Sequence, residues 1–355
     1  MKRSKNTVSE NVKNIVVRCP NWVGDIVMAT PFLDCLSANF PNASMTAVVR
    51  RYARGIIEDG PWFDQIIDAD DKSLGGLYQV VRNIRQTKPD LAFLLPNSFR
   101  SALTLWLGGA KTIYGYRRDG RAFFLDGGPR AKRKDKHILP IPMTDYYLEI
   151  CRSLKLSIPD SLKPRLFIGD QLNNQGQSLL KKYGIENSDK VIGLNPGASF
   201  GSSKCWSPKS FARLAELLQA AFKAKIILFV GPGEDEIAQT IMETSRADII
   251  DTAPDRVDLA LLKPLIKRCD VLITNDTGPR HYAVAFDVPV VAIMGPTDPR
   301  YTAANLEKTV VIRRELECSP CHKKICPIDH RCMNDITPES VIAATQTLLH
   351  EDVSV

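Results

Sequence analysis

Short apolar, β-branched runs separated by stretches of helical period mark this chain from end to end. They fall at residues 15–17, 45–49, 65–67, 91–95, 191–194, 225–230, 271–273, 288–294 and 309–312. Runs this short, without strict alternation of polar and apolar positions, predict strands buried on both faces. Between most of them the apolar positions recur at helical spacing, as at 210–221, where Phe211, Leu214, Leu217 and Leu218 form one stripe. Strands alternating with helices give parallel sheets covered on both sides, so the fold class is α/β.

The alternation breaks between about residues 156 and 189, where IPDSLKPRLFIGDQ is rich in proline and turn formers. A domain boundary is expected near 168–185, giving an N-terminal domain over 1–175 and a C-terminal one over 176–336. The last helical stretch, within 337–355, is expected to cross back onto the first domain. Each half opens with a strand that runs into a polar, glycine-containing loop: NIVVRCPNWVGD in the first, VIGLNPGASFGSSK in the second. Two doubly wound, Rossmann-like domains are therefore expected to face each other across a central cleft, with ligand bound at the carboxyl ends of their strands.

A length of 355 residues suits two ordinary domains. No apolar stretch approaches a membrane span, and the start MKRSKNTVSENVKNIVVRC lacks the apolar core of a signal peptide, so a cytoplasmic protein is expected. The net charge of +7 suits a phosphorylated substrate, nucleic acid or anionic lipid. It is concentrated at 100–136, in Arg100, Lys111, Arg117, Arg118, Arg121, Arg130, Lys132, Arg133, Lys134 and Lys136, offset there by three aspartates. Tyr114, Tyr116, Phe123 and Phe124 are interleaved, yet no nucleic-acid module signature accompanies them. The plain alternative is a solvated basic loop.

Four segments carry candidate chemistry. In ASFGSSKCWSPKSFARLAELL, Ser207 and Pro208 mark a helix start, and the small residues before it leave backbone open beside Lys204, a point charge suited to phosphate. No Walker sequence is present. In VGPGEDEIAQ a glutamate stands near the place of the third glycine of a dinucleotide fingerprint, which argues against that cofactor site. Glu234 or Glu236 could there accept from ribose hydroxyls, or simply favour a helix N-terminus. In TNDTGPRH, Asp276, Thr277 and Gly278 form the turn into a helix whose free N–H groups suit diphosphate, with His281 one turn further in. In CPNWVGDIVMATP, Asp25 sits at a helix start, either as a cap or, in a closed cleft, as a general base.

In order along the chain, GDIVMATP, NPGA with Lys204 and Trp206, the G-x-G-E loop and above all NDTGPRHYAVAFDVPVVAIMGPTDP resemble glycosyltransferase family 9, the ADP-heptose:lipopolysaccharide heptosyltransferases, over nearly the whole chain. The tail ECSPCHKKICPIDHRCMNDITPESV is similar to that of many heptosyltransferases II, which favours the second heptose transfer over the first. The resemblance implies a GT-B fold and a metal-independent inverting reaction, with no cofactor. It implies that Asp25 deprotonates the acceptor hydroxyl, that Lys204 with the backbone of Thr277 and Gly278 holds the diphosphate, and that Asp276 and His281 shape that loop. Glu234 or Glu236 would contact the ribose. Arg117, Arg118 and Arg121 would hold the anionic glycolipid acceptor, heptosyl-Kdo2-lipid A, at the inner membrane leaflet, with no role for nucleic acid. The alternatives are the first heptose transfer, another sugar nucleotide on the same fold, or a non-catalytic binder of nucleotides or polyanions. Cys318, Cys321, Cys326 and Cys332, with His322 and His330 nearby, offer enough ligands for zinc, but only one pair has C-x2-C spacing and the family chemistry needs no metal.

Overall fold

The computed structural model describes residues 12–135 and 137–351. The chain divides after Arg165 into two compact units. The first holds five parallel strands, β1 (Asn14–Arg18), β2 (Ser44–Val49), β3 (Gln65–Asp68), β4 (Leu91–Leu94) and β5 (Thr112–Gly115), in the order β3-β2-β1-β4-β5. A small antiparallel hairpin of β6 (Arg133–Lys134) and β7 (His137–Ile138) follows. The second unit holds β8 (Val191–Asn195), β9 (Lys225–Leu228), β10 (Ile249–Asp251), β11 (Val271–Asn275), β12 (Val290–Ile293) and β13 (Thr309–Ile312), all parallel, in the order β10-β9-β8-β11-β12-β13.

The burial of the central strands explains their composition. Ile15, Val16 and Val17 in β1 and Val271, Leu272 and Ile273 in β11 have no exposed surface, as expected of strands with helices on both faces. All nine expected runs are strands. Two more, β5 and β10, are short edge strands whose few apolar residues make no run of their own. In both sheets the order reverses beside the first strand, between β1 and β4 and between β8 and β11. Loops leaving two adjacent strands diverge there, which opens a crevice at the carboxyl edge of each sheet.

The division falls ten residues before the expected boundary of 175. The reason is that the helix Asp170–Lys182 packs on Leu262–Arg268 of the second unit, where Gly176 lies so close to Pro264 that a β-carbon would meet its ring at 2.5 Å. The last helix, Pro338–Glu351, expected on the first domain, places Val341, Leu348 and Leu349 in the core of the second, against the helix Pro208–Phe222.

Trp206 ties that core together. It is fully buried, its ring lies edge-on to Phe211 at 5.0 Å, and its Nε1 donates to the carbonyl of Ile336 at 2.9 Å, just ahead of the last helix. Trp206→Phe leaves that carbonyl without its donor and removes buried volume, which should destabilise the second unit by about 2–4 kcal/mol. Urea unfolding followed by far-ultraviolet circular dichroism checks this; a midpoint equal to that of the parent protein would contradict it.

Candidate functional site

The crevice of the second unit is assembled by side-chain hydrogen bonds between the ends of β8 and β11, where Asn195 and Thr274 are register partners. Asn195 Nδ2 donates to Thr274 Oγ1 at 3.0 Å and to Thr277 Oγ1 at 3.1 Å. Asn275 takes the opposite direction: its Nδ2 donates to the Pro196 carbonyl at 2.6 Å and its Oδ1 accepts from Trp206 N at 3.1 Å. The two loops that follow these strands are thereby fixed to each other.

Asp276 is the hub. Lys204 Nζ donates to its carbonyl oxygen at 2.8 Å and to Oδ2 at 2.9 Å, Arg280 Nη1 reaches Oδ1 at 3.1 Å, and Thr297 Oγ1 donates to Oδ2 at 2.7 Å. Burial alone would raise its pKa, but the charges of Lys204 and Arg280 outweigh this and hold the carboxyl well below the usual carboxylate range. Asp276 is thus a fixed anion. An ammonium has three N–H donors and two are engaged here, so Lys204 keeps one for a ligand. Its charge also lies 5.2 Å from the centre of the Phe200 ring.

The helix Gly278–Ala285 begins directly after this hub, with Thr277 at its N-cap, no side-chain cap, and Pro279 in its first turn. Its first N–H groups and the positive end of its dipole therefore stand beside Lys204. His281 is buried inside the first turn. Burial, then the neighbouring Arg280 charge, push its pKa down to about 3, so the ring is neutral.

Of the two candidate ribose acids, only Glu234 enters this arrangement. Its Oε2 accepts from Gly231 N at 2.8 Å, and its carboxyl lies so close over Gly197 that a β-carbon there would meet it at 1.8 Å. Burial raises its pKa against the Gly231 hydrogen bond. Glu236 is exposed on the helix Asp235–Thr244.

The cysteine-rich segment, given no catalytic part on sequence grounds, buttresses the loops that carry Ser203 and Pro296. The carbonyls of Lys323 and Lys324 accept from Ser203 Oγ at 2.5 Å and Ser203 N at 3.0 Å, and His330 Nε2 lies 2.7 Å from the Ser203 carbonyl. Cys321 N and His322 N both donate to the Pro296 carbonyl, at 3.0 and 2.9 Å. Gly201, at φ +151°, has no room for a β-carbon against Lys324 O at 2.4 Å. The four cysteines are free thiols, and among the described residues no group of three or more His, Cys, Asp or Glu is placed to hold a metal.

In the first unit, Asp25 is half-buried in the first turn of the short helix Val23–Met28, at the end of β1. Its neighbour is the buried phenol of Tyr147, raised well above its ordinary pKa by burial and then by the Asp25 carboxylate to which it is hydrogen-bonded. Thr30 and Pro31 open a second helix, Thr30–Asn39, where the proline suits the first turn. The three candidate acceptor arginines separate. Arg117 is exposed, and Arg118 is held by Asp119 at 2.8 Å. Arg121 is a correction: it is fully buried, donating to the Tyr116 carbonyl at 3.0 Å and to Pro96 O and Asn97 Oδ1, and so it braces the loops rather than facing a ligand. Lys136 of the basic stretch lies outside the described residues. Tyr114 and Tyr116 are core residues, so the interleaved aromatics are mostly packing.

Asn195, Asn275, Arg280 and Thr297 were not singled out by sequence reasoning. Their signal was available: each is a polar residue at the carboxyl end of an apolar run or one helical turn beyond it.

Comparisons with known proteins bear on the family and the fold. Residues 77–331 match the model of the family described as glycosyltransferase family 9 (heptosyltransferase). A curated lipooligosaccharide heptosyltransferase 2 of Campylobacter jejuni is 30% identical over 94% of this chain and 98% of its own. The crystal structure of a family 9 glycosyltransferase from Veillonella parvula superposes with a TM-score of 0.84 at 26% identity, covering 98% of this chain and all of the other. The E. coli ADP-heptose LPS heptosyltransferase II does so with a TM-score of 0.79 at 26% identity, over 96% of this chain and 100% of that one. The fold is accordingly GT-B, with two Rossmann-like domains.

The buried neutral His281 makes stability depend on pH. The unfolded chain binds this proton near pH 6.5, whereas the folded protein resists it until about 3, so the unfolded state binds more protons in between and stability falls as pH drops through that window. Between pH 7 and pH 5 the loss should be about 2 kcal/mol, and His281→Gln should remove it. Urea denaturation of both proteins at the two pH values reads the difference; equal pH dependence would refute it.

Proposed function

The chain belongs to glycosyltransferase family 9 (heptosyltransferase), and from that premise we propose that it transfers a heptose from ADP-L-glycero-D-manno-heptose to the inner-core heptose of heptosyl-Kdo2-lipid A. The observation that carries this reading is the charge imbalance at the hub. Lys204 and Arg280 are two buried or nearly buried cations sharing one carboxylate, at the N-terminus of a helix. Such a place favours a diphosphate. The second unit holds the donor in this reading: Lys204 and the N–H groups of Thr277 and Gly278 take the diphosphate, and Glu234 accepts from the ribose.

The reaction is a direct displacement with inversion. The acceptor hydroxyl oxygen attacks the anomeric carbon, its proton passes to the Asp25 carboxylate, and ADP departs from the opposite face with the bonding electrons. Negative charge grows on the departing diphosphate, where the fixed donors stand ready without reorganising. The chemistry asks no metal of the protein. Arg117 and Arg118 of the first unit take the acidic acceptor. Such an acceptor is lipid-anchored, so the enzyme works as a peripheral protein on the cytoplasmic face of the inner membrane.

Incubation with ADP-heptose and either Kdo2-lipid A or its mono-heptosylated form, followed by mass spectrometry, tests the assignment. Only the mono-heptosylated acceptor should gain a heptose; extension of Kdo2-lipid A instead would make this the first transferase, and extension of neither would sink the reading. Asp25→Ala should lower kcat by roughly 10²–10⁴-fold while ADP affinity in calorimetry stays at the parent value. Parallel loss of ADP binding would make Asp25 a structural cap.

A further inference from the structure

The first unit carries an apolar surface that neither its core nor the proposed chemistry uses. Phe99 and Trp106, one helical repeat apart on the helix Phe99–Leu107, are 54% and 52% exposed, and Phe123 on the short 3-10 helix Arg121–Phe124 is 86% exposed. The Phe124 ring lies among them, 5.1 Å from Phe99, 5.9 Å from Trp106 and 5.5 Å from Phe123, so the four rings form one cluster. On the neighbouring helix Leu74–Gln86, Leu74 and Tyr78 are also exposed.

Cations flank this cluster. Exposed Arg85 donates to the Leu107 carbonyl at 2.8 Å, next to Trp106, and exposed Arg100 follows Phe99. Along the chain, exposed Arg117 precedes the 3-10 helix, and exposed Arg130, Lys132, Arg133 and Lys134, with one exposed acid, Asp135, follow it. Asp119 is already paired with Arg118, and Asp126 receives the amide of Ile113 at 2.9 Å.

We infer that this aromatic cluster and its basic surround form the face by which the protein docks on an anionic phospholipid bilayer, the rings entering the interfacial region and the cations meeting the headgroups. A large exposed apolar patch is unusual on a soluble domain. Aromatic rings with arginines and lysines beside them match the two components of interfacial binding, buried apolar area and attraction to anionic lipid. A second copy of the chain fits less well, because self-association through this face would bring like charges together. Among the described residues no helix is long and apolar enough to cross a membrane, so attachment of this kind needs a surface patch. The inference rests on the reading that the acceptor is lipid-anchored, and it deepens that reading by naming the face.

The test is co-sedimentation with vesicles of phosphatidylethanolamine and phosphatidylglycerol, with phosphatidylcholine vesicles as the neutral comparison. The parent protein should bind the anionic vesicles and bind the neutral ones weakly. The double variant Phe99→Ser, Phe123→Ser should bind the anionic vesicles at least about tenfold more weakly, with unchanged transfer to a deacylated, water-soluble acceptor. That last readout shows that the variant is folded, and it separates the two ideas. Failure of the parent to use the soluble acceptor counts against the transferase reading, whereas the vesicle data judge the face. A parent that stays in the supernatant, or a variant that sediments like it, overturns the inference. So does a parent that is dimeric in sedimentation velocity while the variant is monomeric with unchanged vesicle binding, since the face would then be an interface between copies.

Discussion

Everything in the second unit's crevice depends on the buried ion triad of Lys204, Asp276 and Arg280. Burying a carboxylate is costly unless it is paired, and here two cations and a threonine hydroxyl surround it. The pairing is uneven by design of the sequence: two positive charges against one negative leave one in excess, next to the positive end of a helix. Removing Asp276 would leave two buried cations uncompensated, whereas removing one cation would leave a matched pair. The same arrangement that stabilises the loop therefore leaves a net positive charge there, which favours an anion beside it. A bound diphosphate would complete the electrostatics rather than compete with them, because Lys204 retains an N–H that Asp276 does not use.

The triad only works if three loops hold still. Asn195 and Asn275 bind the loop after β8 to the loop after β11, and the segment around Lys323, Lys324 and His330 presses on Ser203 from outside. The latter segment also holds Pro296, and so the loop that brings Thr297 to Asp276. A stretch that looks like a metal-binding motif in the sequence thus serves as a clamp through its backbone carbonyls and amides. Most of the groups by which it does so are main-chain atoms that no residue pattern announces, the His330 ring being a side-chain exception.

The strands and the polar loops at their ends were legible because a strand buried on both faces has to be apolar until it stops, and the first polar residues then mark the crevice. Asp276, Thr277, Gly278, Lys204 and His281 were found this way and lie together. What the pattern could not convey was side-chain direction. Arg121 sits in the most basic part of the chain, yet it is buried because the carbonyls of Pro96 and Tyr116 need a donor, a demand set by distant loops. Glu234 and Glu236 are equivalent by composition; only the turn that folds Glu234 back onto Gly231 N and over Gly197 separates them. The edge strands β5 and β10, and the packing of the last helix, escaped for a related reason, since each is decided by tertiary partners rather than by local periodicity.

Asp25 and Asp276 are the same residue at the same kind of junction, where a strand gives way to a helix, and their neighbours give them different work. Asp276 faces two cations and is held ionised so firmly that it cannot take up a proton at any ordinary pH. That argues against Asp276 as a base. Asp25 has beside it the phenol of Tyr147, which burial keeps protonated and so able to donate. In the proposed reaction this neutral donor would orient the carboxylate that takes the acceptor's proton. The contrast lies in the partners: the charge of Asp276 is held by two cations within the second unit, whereas the proposal gives the proton transfer to a carboxylate that accepts from a buried phenol.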